Sequence, residues 1–324
     1  MKITNNKEQI INNKEQRTES ESVTTHRLPT PDSRLPIPDS RFPSPRVVLF
    51  ANINKKYSLE MKDEIQDNLE KRGIRVTPLC FEGRPAVPEK TDWDIAFSLG
   101  GDGTVLYTAR TVAPWGIPII PVNLGTIGFI AEVQKDQWTE LFEKWLDGQA
   151  RLSQRCMLEL VVIRHGKQAA SFNCLNDLVV SASGIAKLIK LKVQLQGSNL
   201  SGSGLSCTDI NAPGLGVTDS SGSGLSGTDL GTYRCDGLII ATATGSTAYS
   251  MAAGGPILDP EMDAIILCPI CPFSLSNRPL VLHARQTLIV TIEEEQRSGV
   301  LLTVDGQDTF ALEPSDKILV SQAP

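Results

Sequence analysis

"FSLGGDGTVL", residues 97–106, passes from an apolar run through two glycines, an aspartate, a third glycine and a threonine before apolar residues resume. Apolar segments on either side of clustered glycines fit a strand that turns tightly into a helix. The turn admits two readings. In one it is structural, with Asp102 or Thr104 capping the helix. In the other, backbone N–H groups free of any Cβ meet a phosphorylated ligand at the helix N-terminus, beside one carboxylate. It is not a Walker loop, because no Gly-Lys-Ser/Thr follows.

The flanking sequence fixes the architecture around this turn. "RVVLFANI" (46–53), "IRVTPLC" (74–80), "DIAFSL" (94–99) and "IPIIPVN" (117–123) read as strands. Between the first two, 57–73 places Leu59, Ile65 and Leu69 near helical spacing and ends on Gly73, suited to a C-terminal cap. "TVLYTARTVA" (104–113) opens a helix, and 135–146 sets Trp138, Leu141, Phe142, Trp145 and Leu146 on one helical face. Strands alternating with helices imply a parallel sheet covered on both sides, with ligands at the carboxyl ends of its strands. Beyond about residue 150 the texture is mainly β. A hairpin over 156–182 turns near His165-Gly166-Lys167, and 187–195, 286–295 and 300–307 add further strands. One short helix-compatible stretch follows Gly245. The expected organisation is a disordered tail (1–45), an α/β domain (46–150) and a β-rich domain (151–324) with an inserted loop at 197–232.

Composition narrows the class. The chain has 324 residues, long enough for two domains, and a net charge of −6 that argues against non-specific nucleic-acid binding. No apolar run approaches the roughly 18 residues of a membrane helix, no signal-peptide core opens the chain, and seven cysteines suit free thiols in a reducing cytoplasm. Cys268 and Cys271 have the spacing of half a zinc site, but no second such pair exists, so buried thiols are expected and no protein-held metal. The tail repeats "NNKEQ" and "RLPTPDS"/"RLPIPDS", low-complexity sequence that buries nothing. The insert repeats "SGSGLSCTD" as "SGSGLSGTD", and its nominal G-x-G-x-x-G (222–227) lacks the flanking strand and helix that a dinucleotide fingerprint needs.

"GGDGT" resembles the signature shared by NAD kinases, diacylglycerol and sphingosine kinases and phosphofructokinases. Five further segments choose within that group: "NLGTIGFIAEV" (123–133), "NCLNDLVV" (173–180), "RCDGLIIATATGSTAYSMAAGGPI" (234–257), "SLSNRPLVL" (274–282) and "VDGQ" (304–307). In this order they resemble the NAD kinase family over roughly residues 46–320. The resemblance implies a Rossmann-like, phosphofructokinase-like α/β domain followed by a β sandwich. It implies transfer of the γ-phosphate of ATP, with Mg²⁺ or another divalent cation, to the 2′-hydroxyl of NAD's adenosine ribose, setting the NAD/NADP balance.

Residue by residue, it implies Asp102 as proton acceptor with Gly103 beside it at the NAD, and Gly100, Gly101, Gly103, Thr104 and Asn123 toward ATP. Asn176 and Asp177 would bond an NAD ribose, Asp177 standing one methylene shorter than the family's usual glutamate. Lys187, Arg234 and Asp236 would contact NAD, Asp236 across a subunit contact of a homo-oligomer, a dimer or tetramer. Thr244, Thr247, Ala248, Tyr249, Ser250, Met251 and Ala252 would line the adenine and ribose pocket, and Gln307 would close the series. Phe273 stands where many members carry histidine. Two rivals remain at this point. A non-catalytic NAD(H) or NADP(H) sensor would lack the base, and a lipid kinase would lack "TGSTAY". No nucleic-acid or membrane partner is expected.

Overall fold

The computed structural model describes residues 44–83, 92–125, 128–184, 187–196, 227–274 and 276–324. The repeat tail through residue 43 and the insert from 197 to 226 lie outside them. The first sheet is parallel, with β1 (Arg46–Asn52), β2 (Arg75–Phe81), β3 (Ile95–Gly100) and β4 (Ile119–Asn123) in the order β2-β1-β3-β4. β3 is buried throughout and β1 at its five central residues, which is why both read as continuous apolar runs rather than alternating ones. β2 forms an edge and tolerates Pro78 there.

Three helices cover this sheet. α1 (Ser58–Lys71) and α3 (Trp138–Leu146) bury Met61, Ile65, Leu69, Trp138, Phe142 and Trp145 against Val47, Leu49 and Leu99. α2 (Asp102–Val112) packs Tyr107 and Val112 on the other face, against Val48, Phe50 and Ala96. Chain order reverses between β1 and β3, and the connections leaving these two strands go to opposite faces. That opens a crevice at their carboxyl ends. The expectation for α1 is corrected at one position: Leu59 is exposed and Met61 takes the buried place. At about 100° per residue Met61 lies near Ile65 on the helix, whereas Leu59 is about 120° away. Gly73, with φ +76°, follows α1 as expected of a residue ending a helix.

The remaining strands form two antiparallel sheets, as the β-sandwich expectation required. One holds β5 (Leu158–Arg164), β6 (Lys167–Cys174), β8 (Ile189–Gln196), β9 (Gly227–Cys235), β13 (Leu288–Ile292) and β16 (Lys317–Gln322), in the order β6-β5-β16-β13-β8-β9. The other holds β7 (Asp177–Ala182), β10 (Gly237–Thr242), β11 (Ala264–Ile270), β12 (Leu280–His283), β14 (Val300–Val304) and β15 (Asp308–Leu312), in the order β12-β11-β10-β7-β14-β15. Leu160, Leu191, Val290 and Val320 from the first interleave with Val180, Leu238, Leu267 and Leu302 from the second in one apolar core. The outer face of the second sheet is covered by Ala253 and Leu258, following the short helix α4 (Tyr249–Ala252).

Three details differ from the sequence reading. The 156–182 run is a β5–β6 hairpin, turning on His165 and Gly166 at positive φ, followed by β7 in the other sheet. Residues 227–232, expected within the inserted loop, belong to β9, an edge strand paired with β8 across a register shift at Val193/Gln194. Its Gly-Thr-Asp-Leu-Gly-Thr composition carries no apolar alternation to announce it. Cys268 is buried in β11 but Cys271, just beyond the strand, is exposed. Among the described residues, no helix is long and apolar enough to cross a membrane.

Candidate functional site

Asp102 opens α2, yet its side chain does not cap the helix; no side-chain hydrogen bond caps that end. The carboxylate turns instead to the loop after β4. Oδ1 accepts the backbone N–H groups of Ile130 (3.1 Å) and Ala131 (3.0 Å), and Oδ2 accepts that of Phe129 (3.0 Å). A carboxylate offers about four acceptor positions, so one remains on Oδ2 for an incoming donor. Gly128 makes this possible, since a Cβ there would overlap the Asp102 carboxyl group. Gly100 has a matching reason, because a Cβ would collide with the Thr104 side chain folded back over it. Thr104 Oγ1 is itself buried without a hydrogen-bond partner.

Asn123 holds the neighbouring loop in shape. Its Nδ2 donates to the Ala131 carbonyl (3.0 Å) and its Oδ1 accepts the Gly125 N–H (2.8 Å). Gly103 contributes its carbonyl, which accepts Gln307 Nε2 at 3.0 Å. This bond joins the first glycine motif to the last motif of the chain, 204 residues later.

The turn carrying Gln307 also carries Asp305, a residue the sequence reading did not single out. Asp305 is buried and accepts the N–H groups of Leu175 (3.1 Å), Asn176 (2.8 Å) and Asp177 (3.2 Å). Arg110, two turns along α2, pairs with Asp308 at 2.8 Å and approaches Asp305 at 4.0 Å. One helix thus bears Asp102 at its start and is tied by Arg110 to the turn that fixes Asn176 and Asp177. Leu106 and Ala109 of the same helix pack on Leu175.

Asn176 and Asp177 meet the Thr244–Ala252 segment. A Cβ at Gly245 would overlap the Asn176 backbone, and the Thr242 hydroxyl donates to the Leu175 carbonyl at 2.6 Å. Thr244 Oγ1 and Asn176 Oδ1 are buried without partners, and Tyr249 is half exposed. Thr247 donates to the Thr244 carbonyl at 3.3 Å, while Met251 and Ala252 are exposed and Ser250 is buried. Burial and the nearby Asp305 charge push the Asp177 pKa up to about 7, against the lowering influence of the Tyr249 backbone N–H. Burial also raises Asp305, against which its three N–H donors and Arg110 act. Of the two carboxyls, Asp305 is the one surrounded by groups that favour its charged form.

Lys187, Arg234 and Asp236 stand apart. β7 and β10 run antiparallel, with Ala241 opposite Asp177 and Gly237 opposite Ser181. Asp236, whose carbonyl accepts the Ala182 N–H, is therefore at the far end of β7, about 17 Å of strand from Asp177. Lys187 lies beyond that same end, beside Gly184. Arg234 is exposed, with its guanidinium 5.2 Å from the centre of the exposed Phe273 ring. Within one chain these three do not join Asp102, Asn176 and Asp177.

Comparison with known proteins matches both parts of the chain. The sequence model of the ATP-NAD kinase N-terminal domain covers residues 84–150, and that of the ATP-NAD kinase C-terminal domain covers 212–324. The chain is 38% identical to the NAD kinase of Treponema denticola over 280 residues, spanning 86% of this chain and 88% of the relative. It is 33% identical to that of Geobacter sulfurreducens over 288 residues, spanning 86% and 90%. Among solved structures it resembles yeast NADH kinase complexed with NADH (TM-score 0.69, 23% identity, 87% of this chain and 82% of that one). It also resembles the Archaeoglobus fulgidus NAD kinase in complex with ATP (TM-score 0.60, 21% identity, 86% and 90%). Both structures share the fold.

The carboxyl pair predicts a pH dependence of stability. The folded chain keeps a proton on Asp177 up to about pH 7, whereas the unfolded chain releases it near 3.8. The folded state thus binds more protons across that window, and this residue's contribution to stability falls as pH rises through it. Urea unfolding of Asp177→Asn should gain on the parent chain between pH 4 and pH 7, by on the order of 2–4 kcal/mol. Parallel stability curves for the two proteins would show that Asp177 ionises normally.

Proposed function

The chain belongs to the ATP-NAD kinase family and phosphorylates NAD to NADP with ATP as donor, and we propose that Asp102 takes the proton from the acceptor hydroxyl. The observation that carries this assignment is the open acceptor position on Asp102 Oδ2, the other three being filled by the Phe129, Ile130 and Ala131 N–H groups. The 2′-hydroxyl of NAD's adenosine ribose donates to Oδ2. As its oxygen bonds to the γ-phosphorus, the proton passes to Asp102 and the bond from that phosphorus to the β-bridging oxygen breaks, leaving ADP. Catalysis here is chiefly positioning. The carboxylate is aimed by backbone groups that cannot swing away, and Gln307 on the Gly103 carbonyl fixes the start of α2 relative to Asn176 and Asp177.

The uncapped N-terminus of α2 and the unpartnered Thr104 hydroxyl support a phosphate-facing role for Gly100, Gly101, Gly103 and Thr104, with Asn123 shaping the loop opposite. Asn176 and Asp177 would meet a ribose. Thr244, Thr247, Ala248, Tyr249, Ser250, Met251 and Ala252 would form the wall of the base and ribose pocket, Tyr249 offering its ring. Mg²⁺ or another divalent ion supplies charge neutralisation on the transferring phosphates. Such an ion would enter with the phosphates of Mg·ATP, which supply most of its oxygen ligands in nucleotide sites of this kind. Six described cysteines are unpaired, in keeping with a reducing cytoplasm.

Lys187, Arg234 and Asp236 take a part only if a second copy brings them in. We propose a homo-oligomer in which Asp236 of one chain reaches the NAD bound at Asp102 of another. Asp102→Asn and Asp236→Ala, each defective alone, should then complement when co-refolded. In a dimer, roughly a quarter of the sites would be intact. No recovery on mixing would restrict each site to one chain.

The activity is tested by incubating the protein with NAD and Mg·ATP and detecting NADP with an NADP-specific dehydrogenase. The wild type should form NADP, and Asp102→Asn should lose at least about a hundredfold in kcat. Full activity in the variant would remove Asp102 from its role. A folded wild type that binds NAD but makes no NADP would turn the reading to a sensor.

A further inference from the structure

The connection from β1 to α1 carries an arrangement that neither the motifs nor the fold requires. Tyr57, the residue before α1, sits at φ +68°, a left-handed conformation that bulky side chains rarely adopt. Burial does not offset this strain, because the side chain is 40% exposed. What the conformation does is present the ring to two cations. Lys135 Nζ lies 3.9 Å and Lys56 Nζ 4.6 Å from its centre. Two like charges gathered on one ring repel each other, and neither is paired with a carboxylate among the described residues. Local backbone strain that concentrates unneutralised charge points to an anionic ligand.

Its place in the fold narrows the ligand. Ala51 of β1 pairs with Leu99 of β3, and Ser58 Oγ donates to the Leu99 carbonyl at 3.4 Å, next to Gly100. The start of α1 therefore lines the crevice where the chain order reverses, facing the turn that ends in Asp102. Lys135 approaches from the other loop, two residues beyond Val133, which bridges to Val122 of β4. The Phe129–Ala131 amides that hold Asp102 belong to that same loop. The crevice thus has the carboxylate at the start of α2 and two ammonium groups at the start of α1.

We propose that Lys56 and Lys135, gathered on the Tyr57 ring, form the subsite for the triphosphate chain of the donor, across the β1/β3 crevice from Asp102. The proposal rests on the kinase reading. The acceptor hydroxyl is drawn to the Asp102 carboxylate with the γ-phosphate at the Gly100–Thr104 turn beside it, while the two ammonium groups make charge-assisted hydrogen bonds to the α- and β-phosphate oxygens trailing toward the opposite wall. Tyr57 is a positioning residue and need not touch the phosphates.

Both lysines are exposed, so their replacement leaves the core intact. The test uses Lys56→Gln/Lys135→Gln in the full chain. KM for ATP should rise about tenfold or more, while KM for NAD stays within about twofold. Inorganic tripolyphosphate should inhibit the wild type competitively against ATP and inhibit the double variant about tenfold more weakly. Tyr57→Leu, which keeps both ammonium groups, should raise KM for ATP by about threefold, and Tyr57→Phe should restore it. An unchanged KM for ATP, or an equal rise in KM for NAD, would overturn the proposal. Calorimetric titration of tripolyphosphate without NAD separates the two readings. Lysine-dependent binding in a protein that makes no NADP would leave the anion subsite standing and sink the kinase. NADP formation with lysine-independent binding would do the reverse.

Discussion

Three backbone N–H groups on the Asp102 carboxylate set the terms for the rest of this site. A carboxylate on a free side chain samples several rotamers, and each misorientation costs rate. Here the loop after β4 removes that freedom, and it can do so only because residue 128 has no side chain. Neighbouring features serve the same end: Asn123 braces the loop from within, and Leu124 N–H donates to the Gly100 carbonyl at 2.9 Å, closing the two turns on each other.

The second constraint is the alignment of α2 with the β sandwich. Its start is linked to Gln307, its second turn packs on Leu175, and Arg110 reaches the Asp305–Asp308 turn. These are contacts of different character, one hydrogen bond, one apolar cluster and one partly buried ion pair. Together they place the proposed proton acceptor, carried by a parallel sheet, against the proposed binding groups carried by an antiparallel one. Asp305 is the hinge of this arrangement, because its carboxylate gathers the three N–H groups of Leu175, Asn176 and Asp177. The cost is a second buried carboxyl, Asp177, which stays protonated up to about pH 7.

Much of this was legible because glycine marks close approach. Gly100, Gly128, Gly245 and Gly255 each sit where a Cβ would strike a neighbour, and all four fall in the motifs that the sequence displays in order. The layer order was also legible, since buried parallel strands give unbroken apolar runs such as "VVLFA" and "IAFSL". Asp305 and Arg110 were not. In sequence one looks like a turn residue and the other like a surface charge on a helix, and their partners lie far along the chain. Nor could the separation of Arg234 and Asp236 from Asp177 be read, because it follows from β7 and β10 running antiparallel. Tyr57 gave no signal at all, because a single bulky residue at positive φ leaves no pattern in the sequence.

The backbone clamp around Asp102 is the central feature of the site, and Gly128→Ala addresses it directly by placing a methyl group where the carboxylate must lie. Single-turnover NADP formation should slow by about a hundredfold or more, with NAD affinity and unfolding midpoint close to those of the wild type. A variant that turns over at the wild-type rate would show that the carboxylate needs no such clamp, and the mechanism built on it would fall.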